Sequence, residues 1–441
     1  MALLLKNVRC VDPAVGLDGE RDVLVRDGVI VETGEPGSVV LVKGVERDLA
    51  GKVLVPGLVD MHVHLREPGQ EYKEDIASGG AAAARGGFTA VLAMPNTAPV
   101  CDSGSTVSYV LEKAHEATRT RVHVAGALTQ GLKGEALSEM GDMVQAGAVA
   151  FTDDGRGVQD GGMMRRAMEY ALPFAKPVLS HCQMEDLVGP GVVNEGAAST
   201  RLGMAGWPVV GEEVQIARDI ALCALTGCAL HIQHITTAAG VALVKAAREQ
   251  GLPVSCEVTP HHLFLCEDDL DEGYDTNLKM NPPLRPRTDV EALQEALVAG
   301  DIDCIATDHA PHAPHEKALE FEAAPFGTTG LETALALVLT ELVATGRLGW
   351  GALVERMAHA PRRILGLGPV TLAAGSVADL TVIDPAATWE VTARSFESKA
   401  GNSAFLGRVL TGRASDVFVG GYASLEEGKV VAGPFLPRTA R

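Results

Sequence analysis

Short apolar segments alternate with helical segments through the middle of the chain, and this alternation most constrains the fold. Each apolar segment has the length and composition of a buried strand, and alanine-rich segments of helical periodicity separate most of them. Eight such strands over roughly 300 residues predict a closed (β/α)8 barrel, or TIM barrel. A doubly wound open sheet is the alternative that periodicity alone leaves open. The eight segments are Val53–Met61, Ala90–Met94, Val122–Ala127, Ala148–Phe151, Val178–Ser180, Ala229–Ile235, Val254–Val258 and Ile302–Ala306.

The two ends of the chain have a different pattern. Short β-branched runs near the N-terminus are punctuated by Asp-Pro and by Asp27-Gly28, a dipeptide typical of hairpin turns. The C-terminal part repeats this pattern, for example in Ala378–Pro385. We therefore predict a small β-sandwich domain formed by residues 1–53 and 368–441, beside a barrel formed by residues 54–367.

Charge and cysteine content limit the partners and the compartment. The 441 residues include 57 acidic and 37 basic side chains, a formal net charge of −20, so neither nucleic acid nor an anionic membrane is an expected partner. The longest apolar runs end well before the ~20 residues of a membrane span. Eight scattered cysteines without a C-x-x-C pair, and no signal-peptide pattern at the start, predict reduced thiols and a cytoplasmic location.

Side chains that can bind metals or protons lie at the C-terminal ends of five of the eight predicted strands. His62 and His64 lie two residues apart, so their imidazoles point to the same face of a strand. The other positions have ordinary explanations: Asp154-Gly155 is a turn pattern, His181 a core histidine and Asp308 a helix cap. Five coincidences at the same end of five strands instead predict one metal-assisted site at the barrel mouth. The candidates are His62, His64, Asp153, Asp154, His181, His231, His234 and Asp308.

Spacing leaves two choices within this set. Asp153 and Asp154 are adjacent, and spacing alone does not decide which of them binds metal. His231 precedes His234 by three residues, and such residues point to opposite faces of a strand. We expect His234 to face the barrel interior and His231 to have a structural role.

Four motifs are similar to those of a known family. They closely resemble the type I bacterial dihydroorotases of the amidohydrolase superfamily, whose members are metal-dependent (β/α)8 barrels. The H-x-H pair and the eighth-strand aspartate mark only the superfamily, whereas the combination of motifs is more specific. The resemblance extends through the whole chain, including the split terminal β-domain. The motifs are H-V-H-L-R-E-P-G at His62–Gly69, M-P-N-T at Met94–Thr97, K-M-N-P-P-L-R at Lys279–Arg285 and A-T-D-H-A-P-H at Ala306–His312.

The resemblance implies a set of metal ligands, with zinc as the metal and one or two ions per subunit. His62 and His64 would hold the first ion, His181 and His234 the second, and Asp154, favoured over its neighbour by the family pattern, would bridge them. Many superfamily members have a carboxylated lysine at the bridging position, whereas here the nearest downstream lysine, residue 176, lies outside the motif. The implied ligands are His62, His64, Asp154, His181, His234 and Asp308.

The resemblance also implies the substrate contacts. A carboxylate-bearing substrate needs a cation in so acidic a chain, and Arg66 has the planar fork that holds a carboxylate through two hydrogen bonds. Asn96 has an alternative explanation as a loop cap. The segment from His312 to Gly327 resembles a loop over the substrate. The implied contacts are His64, Arg66, Asn96, Asn281, His312, Phe326 and Gly327.

The implied reaction is the reversible cyclisation of N-carbamoyl-L-aspartate to (S)-dihydroorotate plus water in de novo pyrimidine (UMP) biosynthesis. A water activated by metal coordination would attack the ring carbonyl, with Asp308 as the proton shuttle. A homo-oligomer, with a dimer as the expected form, and a complex with aspartate transcarbamoylase are the implied assemblies.

Two other functions stay open as alternatives. Dihydropyrimidinases or hydantoinases, and allantoinases, of the same superfamily should use a carboxylated lysine on the fourth strand and need no clamp such as Arg66. Some bacteria use degenerate chains of this kind as non-catalytic partners of aspartate transcarbamoylase. Such chains should lose metal ligands, and all six candidates are present here.

Overall fold

The structure is a computed structural model that describes residues 2–434. Met1 and residues 435–441, which belong to the predicted terminal domain, lie outside the described residues. In the described part of the chain, no helix has the length and apolar character needed to cross a membrane.

Within residues 2–434, eight parallel strands form a ring at the centre of the molecule. The strands, named β1 to β8, pair with their neighbours in chain order, and a parallel bridge from Val63 to His309 joins β1 to the segment after β8. The His64 amide also donates to the His309 carbonyl oxygen at 2.9 Å. The predicted (β/α)8 barrel is therefore confirmed. The strands are β1 (Leu58–Val63), β2 (Phe88–Ala93), β3 (Arg121–Gly126), β4 (Ala150–Phe151), β5 (Val178–Ser180), β6 (Leu230–Ile232), β7 (Val254–Val258) and β8 (Cys304–Ile305).

Helices cover the outside of the barrel. Asp75, Ser103, Asp160 and Thr237 each accept a hydrogen bond from an amide in the first turn of the following helix, which sets where that helix begins. The helical segments of four or more residues are Ile76–Gly86, Gly104–Ala117, Met140–Ala146, Gly161–Ala171, Glu185–Val188, Ala197–Leu202, Val210–Thr226, Ala238–Glu249, Pro260–Phe264, Arg287–Ala299, Pro314–Lys317, Ala334–Val338, Leu339–Val343, Trp350–Val354, Glu355–His359 and Ala360–Ile364.

Apolar side chains fill the barrel interior below the mouth. They come from six of the eight strands in the described chain and form a buried cluster of their own. A barrel of eight strands is just wide enough for side chains to fill it. Polar groups beyond the strand ends therefore meet above a packed floor. The filling residues on the strands are Met61, Leu92, Ala125, Ala150, Leu179 and Cys304.

Strands from both ends of the chain form a second sheet, with nine strands in the described residues. Apolar side chains from its two halves, such as Leu5 and Val382, meet in one buried cluster, as the faces of a sandwich do. The predicted β-domain built from both termini is confirmed. In order of pairing, the strands are Lys429–Val430, Tyr422–Glu426, Val409–Val419, Leu380–Glu390, Val53–Pro56, Ala2–Asp12, Leu17–Arg26 and Val29–Gly34, with Val45–Asp48 paired to Ala2–Asp12.

The apolar segment Val53–Met61, predicted as one strand, is divided between the two sheets. Gly57 separates the parts, and its amide donates to the Asp379 carbonyl oxygen of the terminal domain at 2.8 Å. A Cβ at Gly57 would lie 2.3 Å from Thr89 Oγ1, so a larger residue does not fit between the sheets. The terminal sheet thus extends to Pro56, past the boundary predicted at residue 53. Both parts are fully buried, so both are apolar, and the Pro56-Gly57 dipeptide, a pattern typical of turns, is the sequence signal of the division.

Candidate active site

The strand ends bring the predicted metal ligands together at one end of the barrel. His62 belongs to β1 and His64 follows that strand directly, with the two ring centroids 5.5 Å apart. Each of the other ligands lies within three residues of the end of its own strand, where the chain turns out of the barrel. The other ligands are Asp154 after β4, His181 after β5, His234 after β6 and Asp308 after β8.

Asp154 lies among all four predicted histidine ligands. Its Oδ1 is 3.2 Å from His62 Nε2, and its Oδ2 is 3.5 Å from His64 Nε2. Its Oδ1 also lies 3.7 Å from His181 Nδ1 and 3.9 Å from His234 Nε2. One carboxylate therefore reaches both histidine pairs, and with each pair it forms a group of atoms close enough to hold an ion.

Asp153 points away from this cluster. One of its oxygens accepts from the Leu128 amide at 2.8 Å and from the Thr129 amide at 3.0 Å, and the other accepts from the Thr129 hydroxyl. Through these hydrogen bonds, the Asp153 carboxylate stabilises the turn after β3. Of the two adjacent aspartates that spacing leaves undecided, Asp154 is the one in the cluster.

Each ring of the first histidine pair is held at its Nδ1. His62 Nδ1 is 2.6 Å from Glu257 Oε1, and His64 Nδ1 is 2.9 Å from Asn96 Oδ1. A ring that donates through Nδ1 presents the lone pair of Nε2. His62 Nε2 is buried and makes no hydrogen bond to the described residues, and His64 Nε2 lies 2.9 Å from Asp308 Oδ1.

Neutral amides support the second pair. His181 Nε2 is 3.0 Å from Gln183 Oε1, and Asn281 donates to the same glutamine oxygen at 2.8 Å. This arrangement leaves His181 Nδ1 facing His234 Nε2 at 2.8 Å. The two nitrogens lie side by side against Asp154, so one ion can contact both.

Three carboxylates surround His62. Burial by itself lowers the pKa of this imidazole, but the charges of Asp154, Asp308 and Glu257 raise that pKa well above its ordinary value. Burial by itself raises the pKa of Asp154, yet the charge of His62 and a hydrogen bond from His181 hold that pKa well below its ordinary value. The cluster therefore favours positive charge at its centre.

This donor set fits a metal ion. Imidazole nitrogens and carboxylate oxygens are the ligands of zinc and related divalent ions. The buried His62 Nε2 without a hydrogen bond is costly unless a ligand occupies it. The three carboxylates around His62 carry negative charge, which a bound cation would neutralise.

Glu257, which belongs to none of the sequence motifs, lies behind the ligands. This residue of β7 contacts His62 through Oε1 and His231 Nε2 through Oε2, the latter at 3.2 Å. His231 Nδ1 in turn is 2.8 Å from Ser255 Oγ. The sequence signal for Glu257 is its position as the single charged residue of the predicted strand Val254–Val258.

His231 and His234 both face the barrel interior, so the expectation that only one of them does is wrong. The alternation of a strand applies only while the strand continues, and β6 ends at Ile232. His234 then has a φ of 30°, which turns its side chain back over the barrel mouth.

A cavity of about 310 Å³ opens above the ligand cluster. The residues predicted to contact substrate all contribute to its lining. Asn281 Oδ1 is buried there without a hydrogen bond to the described residues and is available to an N–H donor. Asn96 also holds His64, a contact that the sequence did not predict. The predicted contacts on the lining are His64, Arg66, Asn96, Asn281, His312, Phe326 and Gly327.

The segment from His312 to Gly327 covers one side of the cavity. His312 Nε2 is 2.8 Å from the Phe326 carbonyl oxygen. The ammonium of Lys279 donates to the carbonyl oxygen of Ala324 at 2.7 Å, which ties the segment down. Gly327 has a φ of 114°, and a Cβ there would lie 2.5 Å from the Ala310 Cβ, so this position requires glycine.

Arg66 is a buried cation beside the cavity. Its side chain donates through Nε to the Pro311 carbonyl oxygen at 3.2 Å, and its Nη2 is 3.4 Å from His312 Nε2. It forms no ion pair with any residue between 2 and 434. A guanidinium remains charged at neutral pH, and a buried charge requires a counter-ion. The cavity is therefore suited to a ligand that carries a carboxylate.

A closed parallel barrel with four histidines around a buried aspartate at its mouth defines the chain as a hydrolase of the amidohydrolase type. The L-hydantoinase (dihydropyrimidinase) from Arthrobacter aurescens has this fold, with a TM-score of 0.88, 28% identity and 98% of each chain covered. The D-hydantoinase (dihydropyrimidinase) from Thermus sp. is 25% identical, with a TM-score of 0.85 over 98% of this chain and 97% of that one.

Within that class, the chain belongs to the dihydroorotase family. Residues 51–239 match the family model described as dihydro-orotase-like. The chain is 48% identical to the dihydroorotase of Citrifermentans bemidjiense, with 94% of this chain and 97% of the relative covered. It is 49% identical to the dihydroorotase of Geobacter metallireducens, with 96% of this chain and 99% of the relative covered.

Replacing Asp154 by alanine should remove bound metal, because both histidine pairs lose the carboxylate that they share. Asp153→Ala is the matched control: it should keep its metal but unfold at a lower temperature, since unpaired buried amides cost about 1–3 kcal/mol. Elemental analysis after gel filtration measures the metal. Reconstitution in CO2-free buffer should give the same metal content as in bicarbonate. Bicarbonate dependence, or loss of metal in the Asp153 variant alone, would contradict this assignment.

Proposed function

We propose that the chain is a dihydroorotase, which catalyses the reversible cyclisation of N-carbamoyl-L-aspartate to (S)-dihydroorotate plus water in de novo pyrimidine biosynthesis. Relatives named dihydroorotase are about 48% identical over nearly the full length. The observation that carries the substrate class is Arg66, a buried guanidinium without an ion-pair partner in the described chain, at the edge of the cavity above the ligand cluster. Both reactants carry carboxylates, which a guanidinium binds through paired hydrogen bonds.

Zinc is the metal that we assign to the ligand cluster. His62, His64 and Asp308 would hold a first ion, and His181 and His234 a second, with Asp154 between them. When bound, a divalent ion lowers the pKa of a coordinated water to about 7 and polarises a carbonyl oxygen. Glu257 is assigned to hold the His62 ring in the orientation that this requires.

Asp308 is the residue that we assign to proton transfer. Its Oδ1 is 2.9 Å from His64 Nε2 and 3.5 Å from His62 Nε2, and its side chain is 14% exposed at the cavity. In hydrolysis, this carboxylate accepts the proton of the attacking water and delivers it to the ring nitrogen as the C–N bond breaks. In ring closure, it removes a proton from the ureido nitrogen as the C–N bond forms, and it returns that proton to the carboxyl oxygen that leaves as water when the C–O bond breaks.

Arg66 and its neighbours are assigned to the substrate carboxylate. Burial first, and then the charge of Arg66, lower the pKa of His312 to about 2, so this imidazole is neutral at physiological pH. The positive charge of this part of the cavity therefore lies on Arg66. Asn281 Oδ1 would accept a ring N–H, because it has no other partner in the described chain.

A hydantoinase or dihydropyrimidinase activity is the second candidate, favoured by the likeness to the Arthrobacter aurescens structure. Allantoinase is a related alternative. Arg66 and Asp154 favour the dihydroorotase, since the cyclic substrates of hydantoinases need no carboxylate clamp and their fourth strand is expected to carry a lysine. The full set of six ligand candidates likewise favours an enzyme over a non-catalytic partner of aspartate transcarbamoylase.

The cellular setting is also proposed. A cytoplasmic location is supported by the eight cysteines, which are all buried and unbridged in the described chain. A homo-oligomer, expected as a dimer, and a complex with aspartate transcarbamoylase stay predictions.

The zinc-loaded protein should hydrolyse dihydroorotate and should form it from N-carbamoyl-L-aspartate. Ultraviolet absorbance of dihydroorotate measures both directions. Hydantoin should have a kcat/KM at least ~100-fold lower, because it offers no carboxylate to Arg66. Metal analysis of the same sample counts the bound ions. A higher kcat/KM for hydantoin would assign the hydantoinase function instead.

Asp308→Asn should lower kcat by ~10²–10⁴-fold, because the variant keeps the size of the side chain but cannot accept a proton. Its thermal unfolding midpoint should stay close to that of the unaltered protein. Asp301→Asn, at a surface carboxylate that pairs with Lys245, is the control and should retain full activity. Near-normal turnover by the Asp308 variant would exclude it as the proton shuttle.

Arg66→Met should weaken the use of dihydroorotate far more than that of dihydrouracil, the same ring without the carboxylate. Removing one partner of a buried charged pair costs ~2–5 kcal/mol, which is at least ~30-fold in kcat/KM. Arg165→Met, at an exposed pair with Glu169, is the control. If kcat/KM fell equally for both substrates, Arg66 would have a structural role and would not bind the substrate carboxylate.

A further inference from the structure

One connection between strands of the terminal domain lies against the barrel mouth. Residues 391–408, which we call the connector, join the strands Leu380–Glu390 and Val409–Val419. Two buried barrel carboxylates anchor it. Glu332 accepts from the amides of Glu397 at 2.9 Å and Ser398 at 3.1 Å, and Glu74 accepts from the Lys399 amide at 3.2 Å and from the Ser398 hydroxyl.

Asn402 of the connector is buried against the segment that follows β8. Its Oδ1 accepts from the His312 amide at 3.0 Å. Its Nδ2 donates to the carbonyl oxygens of Ala310 at 3.1 Å and Gly327 at 3.3 Å. Its own carbonyl oxygen accepts from the Thr329 amide at 3.0 Å. One side chain thus joins the beginning and the end of the segment that covers the cavity.

The peptide that Asn402 holds also positions the candidate carboxylate clamp. Asn402 forms hydrogen bonds to Ala310 and His312, the residues before and after Pro311. The Pro311 carbonyl oxygen accepts a hydrogen bond from Arg66 Nε. His312, whose amide Asn402 fixes, lies against the same guanidinium. In the described residues, the hydrogen bonds of the Asn402 side chain go to His312, Ala310 and Gly327, and none goes to the ligand candidate Asp308. Loss of the Asn402 amide should therefore disturb the substrate clamp and leave the ligand cluster in place.

We propose that Asn402 is a positioning residue that sets the specificity of the site for a carboxylate-bearing ring, by holding the backbone that orients Arg66 and His312. This inference rests on the proposed dihydroorotase function. It gives the terminal domain a part in substrate binding, through a side chain that itself does not touch the substrate.

The test compares the zinc-loaded variants Asn402→Ala and Asn402→Asp with the unaltered protein. Both should raise the KM for dihydroorotate by about tenfold or more, because buried groups that lose their partners are costly, while kcat changes less than about threefold. The aspartate keeps the acceptor for His312 but sets a carboxylate against two carbonyl oxygens. Ser403→Ala removes only a hydroxyl that accepts from the Phe405 amide, and should leave KM unchanged.

A double variant separates positioning from a general effect on the fold. In the Arg66→Met background, Asn402→Ala should add less than about threefold to KM, since the clamp through which it acts is already gone. The inference would be overturned if the effects of the two substitutions on KM simply multiplied, or if the Asn402 variants left KM unchanged. It would also be overturned if both Asn402 variants lost bound zinc and unfolded at a lower temperature. Failure of the unaltered protein to hydrolyse dihydroorotate would instead overturn the proposed function.

Discussion

A carboxylate as deeply buried as Asp154 is stable only where positive groups surround it, and this requirement organises the barrel mouth. No single strand supplies the partners, since His62 and His64 lie at the end of β1, His181 follows β5 and His234 follows β6. The rings must also present the correct nitrogens. Glu257, Asn96 and Gln183 achieve this by holding the opposite nitrogens of three rings. The substrate clamp then depends on the same strand ends, because Arg66 follows His64 by two residues.

Three residues at the barrel mouth have a left-handed backbone conformation. Arg66, His234 and Asp308 have φ values of 61°, 30° and 47°, a region that costs a residue with a side chain about 1–2 kcal/mol. Each of them lies just beyond a barrel strand, where the chain turns outward while its side chain remains over the mouth. The packed floor of the barrel and the surrounding helices stabilise the turns that these residues require.

The sequence predicts the barrel because buried parallel strands are continuously apolar, and it predicts the ligands because polar groups at five strand ends stand out from that background. It fails where tertiary contacts decide. The run Val53–Met61 is divided at Gly57, although its apolar residues on both sides predict a single strand. His231 is placed wrongly because strand alternation stops at Ile232. Asn402 is remote from every motif, so only the folded chain brings it to the site. The choice between Asp153 and Asp154 also depends on neighbours that spacing does not contain.

The position of Val53–Pro56 between an N-terminal and a C-terminal strand has a consequence for synthesis of the protein. On the ribosome, Ala2–Asp12 and Val53–Pro56 emerge first, whereas Leu380–Glu390 follows only after the entire barrel. At ~5–20 residues per second, this interval lasts on the order of tens of seconds. Throughout it, an apolar strand has one unpaired edge, the feature by which nascent chains associate with each other. The edge of Val53–Pro56 is closed only when Leu380–Glu390 pairs with it, so the terminal sheet is the last part of the fold to be completed.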